Sequence, residues 1–373
     1  MGLAKNLVKI GYRVTIITQF LKENDLRYDG SFIYDETDFN ILRVEIGSSS
    51  KFFERARNKI ANLLSPINRP REFRLAVLKY LETNPIPAID VIFATFPDHA
   101  NLSIGAELSK KLKKPWIADF RDCYQHDGSM AQNFLRPFRI NAIKKIARTA
   151  VLATYVAPSL EKNVKNIMGH KKIVKLENAY DEDDHKHYHS PKKGSNLIFV
   201  YTGTLHLNNQ TLIPLLDALL TIQDSVTVDL TLIRILVFGD IQNKVQANHK
   251  KHPLGHLIAF QGRVSRDISL KHQAEADVLL LGNGAGSKIY EYLFARKPIL
   301  MMQTDHGYAD HLLKETRVGW APRNQHELNG IVQKILNDWS QSGKIDFNKD
   351  LNLTEYMYSK RAKELDRVIE DFV

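Results

Sequence analysis

The chain has 373 residues, of which 43% are hydrophobic and 25% are charged, and its formal net charge is +10. This composition excludes a disordered protein, and the length exceeds what one ordinary core can hold, so two domains are predicted. A single cysteine excludes an internal disulfide, and no apolar run approaches the roughly 20 residues of a membrane span, so the sequence predicts a cytoplasmic protein.

Predicted helices and strands alternate through the first half of the chain. An amphipathic helix over residues 3 to 10 comes first, because its apolar positions share one helical face. The later elements are the strands VTIITQ (14 to 19), NILRVEI (40 to 46), DVIFATF (90 to 96), KPWIADF (114 to 120) and VLATYVAP (151 to 158), with helices at 101 to 112 and 133 to 147. Strands that alternate with helices of this length predict a parallel, doubly wound sheet.

A second series of the same kind follows the polar segment between Asp181 and Ser195. It comprises a helix that begins at Thr211 and the strands LIFVYTG, RILVFGD, LIAFQGRV, DVLLLG, KPILMM and VGWAPR. The sequence therefore predicts an α/β protein with two Rossmann-like, doubly wound domains, residues 1–180 and residues 181–352. The remaining segment, residues 353–373, has the apolar spacing of one more helix.

The segment from Asp277 to Met302 carries the most informative pattern. An apolar strand is followed by a glycine-rich loop that lets backbone approach a ligand closely, and a helix begins at Ser287. Lys288 and Glu291 share one face of that helix near its N-terminal end, where an anion is favoured. Such a face can hold a phosphate and a ribose together. The alternative is an ordinary ion pair on a solvated helix.

Residues 277 to 302 resemble the donor-binding segment of glycosyltransferases with the GT-B fold. The likeness is strongest to the family 4-like group (glycosyltransferase group 1), whose members carry a strand, a loop, a K-[LI]-[YF]-E-Y-L helix and a G/R-K-P-I-L strand, where this chain has SKIYEYLFARKPILMM. The resemblance implies two domains that face each other across a cleft, with the acceptor side in the first and the donor site in the second. It also implies that Glu291 binds the ribose hydroxyls of a nucleotide diphosphate sugar, and that the C-terminal helix returns to the first domain.

The resemblance covers nearly the whole chain but not its start. Members of the family begin with a strand and a glycine-rich loop, whereas this chain begins with the helix that follows them. The first domain is therefore expected to be shortened at its N-terminus. A misassigned start, a genuinely shortened domain and an inactive relative are all compatible with the sequence.

Three charged residues, Asp119, Arg121 and Asp122, come at the end of an apolar strand. Open α/β sheets place ligands at the carboxyl ends of their strands, so these charges are either site groups or paired scaffolding. In the family, this strand ends at the cleft, where relatives often carry a catalytic histidine or aspartate. The resemblance makes Asp119 or Asp122 a candidate to steer the acceptor hydroxyl, and Arg121 a candidate to hold an anionic group or to brace the loop.

The loop TFPDHANLSIG follows the preceding strand of the same sheet. From the residues alone it is an ordinary connection between a strand and a helix, with a side chain that caps the helix. The family has a similar proline-containing turn that lines the acceptor side. The resemblance therefore makes Pro97, Asp98 and His99 acceptor-side candidates.

The loop after the first strand of the second domain departs from the family. Relatives frequently carry Gly-Arg-Leu followed by a lysine there, which supplies two cations for the donor diphosphate. This chain has Thr204 in place of the arginine and lacks the lysine. The phosphates are then expected to bind the backbone amides of Gly203 and Thr204 together with Arg263 and Lys288.

The polar run DEDDHKHYH, residues 181 to 189, packs four carboxylates and three histidines into nine positions. Neither zinc-finger spacing nor an EF-hand loop is present, so we interpret the run as a hinge between domains and predict no metal site. The resemblance likewise implies no metal and no cofactor beyond the donor substrate.

The excess of positive over negative charge is confined to the first half of the chain. Residues 1 to 180 hold 29 Lys and Arg against 18 Asp and Glu, whereas the rest hold 23 against 24. Residues 51 to 80 and 134 to 148 are basic, with aromatic residues such as Phe52 and Phe53 among the bases. This pattern favours an anionic membrane surface as the partner. Nucleic acid is the alternative partner, but the sequence contains no recognised nucleic-acid-binding motif.

Together these features predict a glycosyltransferase of hexosyltransferase type, retaining by resemblance. It would move a sugar from a nucleotide diphosphate sugar to a lipid-linked or polysaccharide acceptor at the cytoplasmic membrane face. One alternative is a nucleotide-sugar epimerase of the same fold. Another is a catalytically silent partner subunit, which the absent first strand and the absent arginine and lysine favour.

Overall fold

The structure is a computed structural model. It describes residues 2–21, 39–46, 71–84, 86, 88–97, 99–122, 130–187, 196–205, 212–225, 228–282, 286–302 and 307–372, without the side chains of residues 71, 130–136 and 185–187. Contacts divide the chain into two compact units. Unit 1 combines Met1–Glu177 with Ser359–Val373, and unit 2 is Asn178–Tyr358. The boundaries predicted from the sequence come after residues 180 and 352.

Helices and strands alternate along the described parts of the chain. In chain order they are α1 (Gly2–Lys9), β1 (Thr15–Gln19), β2 (Asn40–Val44), α2 (Arg71–Thr83), β3 (Ile92–Phe96), α3 (His99–Leu112), β4 (Trp116–Phe120), α4 (Met130–Ala147), β5 (Leu152–Tyr155), α5 (Pro158–Met168), β6 (Lys172–Lys175), β7 (Leu197–Thr202), α6 (Ile213–Ile222), β8 (Ile233–Phe238), α7 (Asn243–Lys250), β9 (Ile258–Gly262), α8 (Arg266–Glu275), β10 (Val278–Leu281), α9 (Lys288–Phe294), β11 (Ile299–Met301), α10 (Tyr308–Thr316), β12 (Gly319–Trp320), α11 (Gln325–Ser342) and α12 (Tyr358–Glu370). A 3-10 helix, Glu182–His187, opens unit 2.

Unit 1 contains two parallel sheets. β1 and β2 pair with each other, and a separate four-stranded sheet has the order β3-β4-β5-β6. Every residue of β4 is buried, because alternate side chains pack against layers on opposite faces. Trp116 and Phe120 contact the layer that contains Ile143 of α4, whereas Ile117 contacts the layer that contains Leu365 of α12.

Helix α3 lies close against β3 because position 105 is glycine. A Cβ atom at Gly105 would lie 2.7 Å from the Cβ of Ala94 and 3.2 Å from the ring of Trp116. α3 begins at His99, directly after β3, and β3 and β4 are parallel, so the N-terminus of α3 lies at the carboxyl end of this strand pair. The acceptor-side and catalytic candidates of the sequence analysis therefore belong to one edge of the sheet.

The C-terminal helix α12 belongs to unit 1. Leu365 and Ile369 pack with Leu152 and Leu176 of the four-stranded sheet layer. At the start of the helix, the Arg361 guanidinium lies 3.3 Å from the Glu177 carboxylate, the last residue of the first segment of unit 1. Apolar burial and this largely buried ion pair hold the two segments of unit 1 together.

Unit 2 is built on a six-stranded parallel sheet with the order β12-β11-β10-β7-β8-β9. Counted from the first strand of the unit, this is the 3-2-1-4-5-6 order of dinucleotide-binding folds, read in reverse. The order reverses between β7 and β10, where Phe199 pairs with Val278. Doubly wound folds bind ligands in the crevice at such a reversal.

Helices cover both faces of the unit 2 sheet. Val332 and Leu336 of α11 pack on one face, and Leu312 and Leu313 of α10 pack on the other. The inward stripe of α9 has four buried members: Ile289, Tyr290, Tyr292 and Leu293. The predicted fold class, α/β with two doubly wound domains, is confirmed.

Several elements were not predicted from the sequence. They are β6, α5, α7, α8, α10 and α11. In β6 the two end positions, Lys172 and Lys175, are exposed, which is typical of a charged edge strand. Only the two positions between them are apolar, and two apolar residues are too few to predict a strand. The predicted first sheet is also divided, since β1 and β2 form a separate pair.

Candidate functional site

The carboxyl end of β7 meets α9 at the strand-order reversal of unit 2. The backbone amide of Thr202 donates a hydrogen bond to Tyr292 Oη at 2.9 Å, and the Thr202 hydroxyl lies 3.1 Å from the same oxygen. Burial of the phenol raises the pKa of Tyr292, so it stays neutral. These bonds fix the position of α9, and of the charged residues on it, relative to β7.

Lys288 and Glu291 form the ion pair that their spacing predicts. Lys288 Nζ lies 2.8 Å from Glu291 Oε2. The pair is not on a solvated face, because the Glu291 side chain is only 14% exposed and that of Lys288 is 29% exposed. The structure thus places a charged acceptor at the edge of the crevice with its cation beside it.

Arg266, the first residue of α8, provides a second cation for Glu291. Arg266 Nη1 lies 3.2 Å from Glu291 Oε1. On its other side, Arg266 Nη2 lies 2.5 Å and Nε lies 3.4 Å from the two carboxylate oxygens of Asp184. Asp184 is in the 3-10 helix, so this contact ties the polar run of the sequence to the site.

Gln273 joins the charged residues to the end of β7. Its Nε2 is fully buried with the side chain and lies 3.4 Å from Glu291 Oε2 and 3.3 Å from Thr202 Oγ1. Glu291 Oε2 therefore accepts from Lys288 and Gln273, while Oε1 accepts from Arg266. The carboxylate is held in one orientation by three donors, two from α8 and one from α9.

Opposing effects set the ionisation of this cluster. Burial by itself would raise the pKa of Glu291, but the charges of Lys288 and Arg266 outweigh it, so the pKa of Glu291 is lowered. For Asp184 burial is the larger effect, and its pKa is raised in spite of Arg266. The pKa of Arg266 is raised, since its two carboxylate partners outweigh burial. Glu291 is thus an ionised acceptor at neutral pH.

Of the predicted phosphate-binding residues, Gly203 and Thr204 follow β7 and Arg263 follows β9, two strands that both pair with β8. Gly203 has φ 145°, and its amide already donates to the Phe238 carbonyl at 2.8 Å. Gly239 packs against it so closely that a Cβ there would lie 2.0 Å from the Gly203 oxygen. Arg263 is exposed directly after β9. The strand ends are therefore adjacent, but the Gly203 amide is engaged within the sheet and a phosphate would have to replace that bond.

In unit 1 the structure separates the roles of the charges after β4. Asp119 is completely buried, and its Oδ2 accepts from Arg121 Nε at 2.7 Å. The Asp119 carboxylate also accepts from the hydroxyls of Thr154 and Thr95. Of the two alternatives left by the sequence, paired scaffolding describes Asp119, which braces Arg121. Asp122 is partly exposed and follows the strand.

The acceptor-side candidates differ in their surroundings. Pro97 is exposed, whereas His99 is only 4% exposed and lies edge-on to the Phe96 ring at 5.0 Å. Burial and the nearby charge of Arg139 lower the pKa of His99 to about 4, so the imidazole is neutral at physiological pH. Asp98 lies outside the described residues.

Three residues of the site were not predicted from the sequence: Arg266, Asp184 and Gln273. Arg266 had a usable signal, because it comes soon after the carboxyl end of β9, where ligand residues are expected. Asp184 had been assigned to a hinge. Among the described residues, no three His, Cys, Asp or Glu side chains form a group that could hold a metal ion, and no helix is long and apolar enough to cross a membrane.

Comparison by sequence identifies no relative, since no protein-family model and no curated protein matches the chain. Comparison by structure finds proteins with a similar fold. Sucrose-phosphate synthase from Thermosynechococcus elongatus superposes with a TM-score of 0.70 at 14% identity, over 99% of this chain and 91% of that one. Anabaena HepE in complex with UDP and glucose superposes with a TM-score of 0.68 at 14% identity, over 99% and 95%.

A third structure has a different activity. UDP-GlcNAc 2-epimerase from Methanocaldococcus jannaschii superposes with a TM-score of 0.52 at 13% identity, over 96% of this chain and 100% of that one. The synthase and HepE are glycosyltransferases with the GT-B fold. At these identities the comparison establishes the fold, and the protein described here has the GT-B fold.

Proposed function

We propose that the protein is a glycosyltransferase that uses a nucleotide diphosphate sugar bound to unit 2. The observation that carries the proposal is the Glu291 carboxylate, ionised and held by Lys288 and Arg266 at the strand-order reversal. An ionised acceptor in that place suits the two hydroxyls of a ribose, because charged acceptors form the stronger hydrogen bonds. HepE, which has the same fold, was solved with UDP and with UDP-glucose.

The phosphates of the donor would lie between the strand ends and the start of α9. Lys288 and Arg263 would supply positive charge to the phosphates. The backbone at Gly203 and Thr204 would approach the phosphates closely, because position 203 has no side chain. On the unit 1 side, Asp122 is the group that we assign to the acceptor hydroxyl, and Arg121 to an anionic group of the acceptor or to the loop. Asp119 holds Arg121 in place.

The acceptor that we propose is a lipid-linked molecule or a polysaccharide at an anionic membrane surface. The excess positive charge of residues 1 to 180 supports this assignment. So does α4, where Phe138 is 63% exposed and Lys145 is exposed on the same helix. A large exposed aromatic side chain beside bases suits an interfacial contact. Arg139 is not part of that surface, since it is buried.

The proposal is tested by transfer from a radiolabelled donor. Purified protein would be incubated with UDP-glucose and other nucleotide sugars, together with lipid extract or oligosaccharide acceptors. Transfer that requires both substrates supports the proposal, and retention of the anomeric configuration in the product supports the retaining assignment. Calorimetric titration with UDP tests the donor site separately, and no binding of any nucleotide would contradict the proposal.

Two alternatives have their own support. The epimerase neighbour favours a nucleotide-sugar epimerase, which would convert the donor without any acceptor. The absent arginine, with Thr204 in its place, favours a subunit that binds a nucleotide sugar without turnover. Incubation with UDP-GlcNAc alone, followed by separation of the sugars, distinguishes the epimerase, and nucleotide binding without turnover distinguishes the silent subunit.

A further inference from the structure

Arg266 connects two carboxylates that are distant in the sequence. Its Nε and Nη2 atoms face Asp184 in a two-point contact, and its Nη1 atom reaches Glu291 at 3.2 Å. The guanidinium is planar and its donors form a rigid fork, so fixing one edge on Asp184 fixes the direction of the other edge. The side chain is 27% exposed and lies at the edge of the crevice.

We propose that Arg266 is a positioning residue for the donor ribose: anchored by Asp184, it orients the Glu291 carboxylate toward the ribose hydroxyls. This inference rests on the function proposed above and adds a determinant of specificity to it. The class of ligand that it concerns is a ribonucleoside diphosphate, as opposed to its 2′-deoxy analogue.

The geometry of Glu291 explains why one more cation matters. Its Oε2 atom accepts from Lys288 and Gln273, so these two residues hold one end of the carboxylate. The described partner of the other oxygen, Oε1, is Arg266. The last torsion of a glutamate side chain is broad, and without Arg266 the carboxylate can rotate about it. A diol needs both oxygens in fixed directions, so such rotation weakens recognition of the hydroxyls.

A direct contact between Arg266 and the donor phosphates is the competing explanation. If Arg266 contacts the phosphates, its replacement should weaken the binding of UDP more than that of UMP. If Arg266 positions Glu291, its replacement should weaken the binding of UDP more than that of 2′-deoxy-UDP. Titration calorimetry with UDP, UMP and 2′-deoxy-UDP separates the two. The proteins are the wild type, Arg266→Gln, Arg266→Lys and Asp184→Asn, with Arg323→Gln as matched control. Arg323 contributes an exposed ion pair to the same unit, 3.4 Å from Glu327.

We expect the wild type to prefer UDP over 2′-deoxy-UDP by roughly tenfold or more, the value of a hydrogen bond to a charged acceptor. In Arg266→Gln the affinity for UDP falls about tenfold and the preference contracts to about twofold, with the ratio of UDP to UMP unchanged. Arg266→Lys and Asp184→Asn also reduce the preference for UDP over 2′-deoxy-UDP, but by less than Arg266→Gln does. Arg323→Gln behaves as the wild type.

An unchanged preference for UDP over 2′-deoxy-UDP in Arg266→Gln overturns the inference. So does a collapse of the UDP to UMP ratio with ribose discrimination intact, which would assign Arg266 to the phosphates. If the wild type binds no nucleotide, the proposed function fails and the inference fails with it. If the wild type binds and discriminates while the variants do so equally well, only the inference fails.

A measurement without ligand tests the same contact. The ¹³Cδ signal of Glu291, assigned by its loss in Glu291→Gln, is titrated in the wild type and in Arg266→Gln. Removal of the guanidinium should raise the titration midpoint of Glu291, and an unchanged midpoint overturns the inference. Thermal unfolding checks that each variant is folded. If Arg266→Gln does not fold, Arg266→Lys and Asp184→Asn provide the comparison.

Discussion

Asp119 Oδ1 accepts a hydrogen bond from Thr154 Oγ1 at 2.6 Å across the neighbouring strands β4 and β5. The two residues are register partners, and Thr95, the register partner on β3, donates to the other oxygen at 3.2 Å. A row of polar side chains thus crosses three strands of the sheet, one residue before the carboxyl end of each. Because Asp119 has no exposed surface, its charge is balanced inside the protein by Arg121.

We therefore predict that Asp119→Asn destabilises unit 1. The amide cannot accept from all three donors and leaves the Arg121 guanidinium without its buried counter-charge, at a cost of about 3–5 kcal/mol. Urea denaturation at pH 7 measures the free energy of unfolding. The matched variant Asp122→Asn, at a partly exposed position, should lose less than about 1 kcal/mol. Equal stability of both variants would contradict this assignment of Asp119.

Asp122→Asn should instead affect turnover. If Asp122 steers the acceptor hydroxyl, its loss lowers kcat while the KM for the donor changes little, because such a group acts mainly in the transition state. The reduction expected for a group that assists proton transfer is roughly 10²-fold or more. Steady-state kinetics with a working donor and acceptor measure it, and full turnover in Asp122→Asn would remove the proposed catalytic role.

Glu291→Ala should weaken the binding of UDP by about 1–3 kcal/mol, since hydrogen bonds to a charged acceptor are lost. Calorimetric titration gives the affinity. The control is Glu315→Ala, which removes an exposed glutamate from a 3.4 Å pair with His311 elsewhere in unit 2. An unchanged affinity in Glu291→Ala, or an equal loss in both variants, would exclude Glu291 from the donor site.

His99 should make the stability of unit 1 depend on pH. Burial and Arg139 lower its pKa to about 4, below the usual value of 6.5, so the folded state favours the neutral form. Its contribution is fully present above pH 6.5 and is lost as the pH falls toward 4. The wild type should lose on the order of 2 kcal/mol between pH 7 and pH 4.5 relative to His99→Gln. Urea denaturation across this range measures it, and parallel pH profiles would show that His99 is not responsible.

The membrane assignment predicts binding to anionic vesicles that weakens as salt rises. Each base near an anionic leaflet contributes about 1 kcal/mol and is screened within a Debye length. Phe138→Ser should remove a salt-resistant part of the binding if this side chain enters the interface. Phe52 and Phe53, candidates for the same role, lie outside the described residues. Co-sedimentation with phosphatidylglycerol vesicles, with neutral vesicles and with duplex DNA tests the membrane assignment. Tighter binding to DNA than to the anionic vesicles would refute it.

Much of the fold could be predicted from the sequence because its signals are local. The run DVLLL predicts β10 from five consecutive residues, and the stripe of α9 repeats within two turns of helix. The pairing of Lys288 with Glu291 is also local, since residues three positions apart share a helix face. The edge strand β6, with Lys172 and Lys175 at its ends, lacks such a signal and was missed.

The partners of the site residues were decided by tertiary structure. Arg266 comes 82 positions after Asp184 and 25 positions before Glu291, and only the packing of α8 against the 3-10 helix and α9 brings the three charges together. Burial is equally non-local: Asp119 lies near the end of β4 and Asp122 directly after it, yet only Asp119 is enclosed by packing from other segments. The pairing of charges and the burial of side chains depend on distances in space. A sequence pattern predicts such distances only between residues of the same helix or strand.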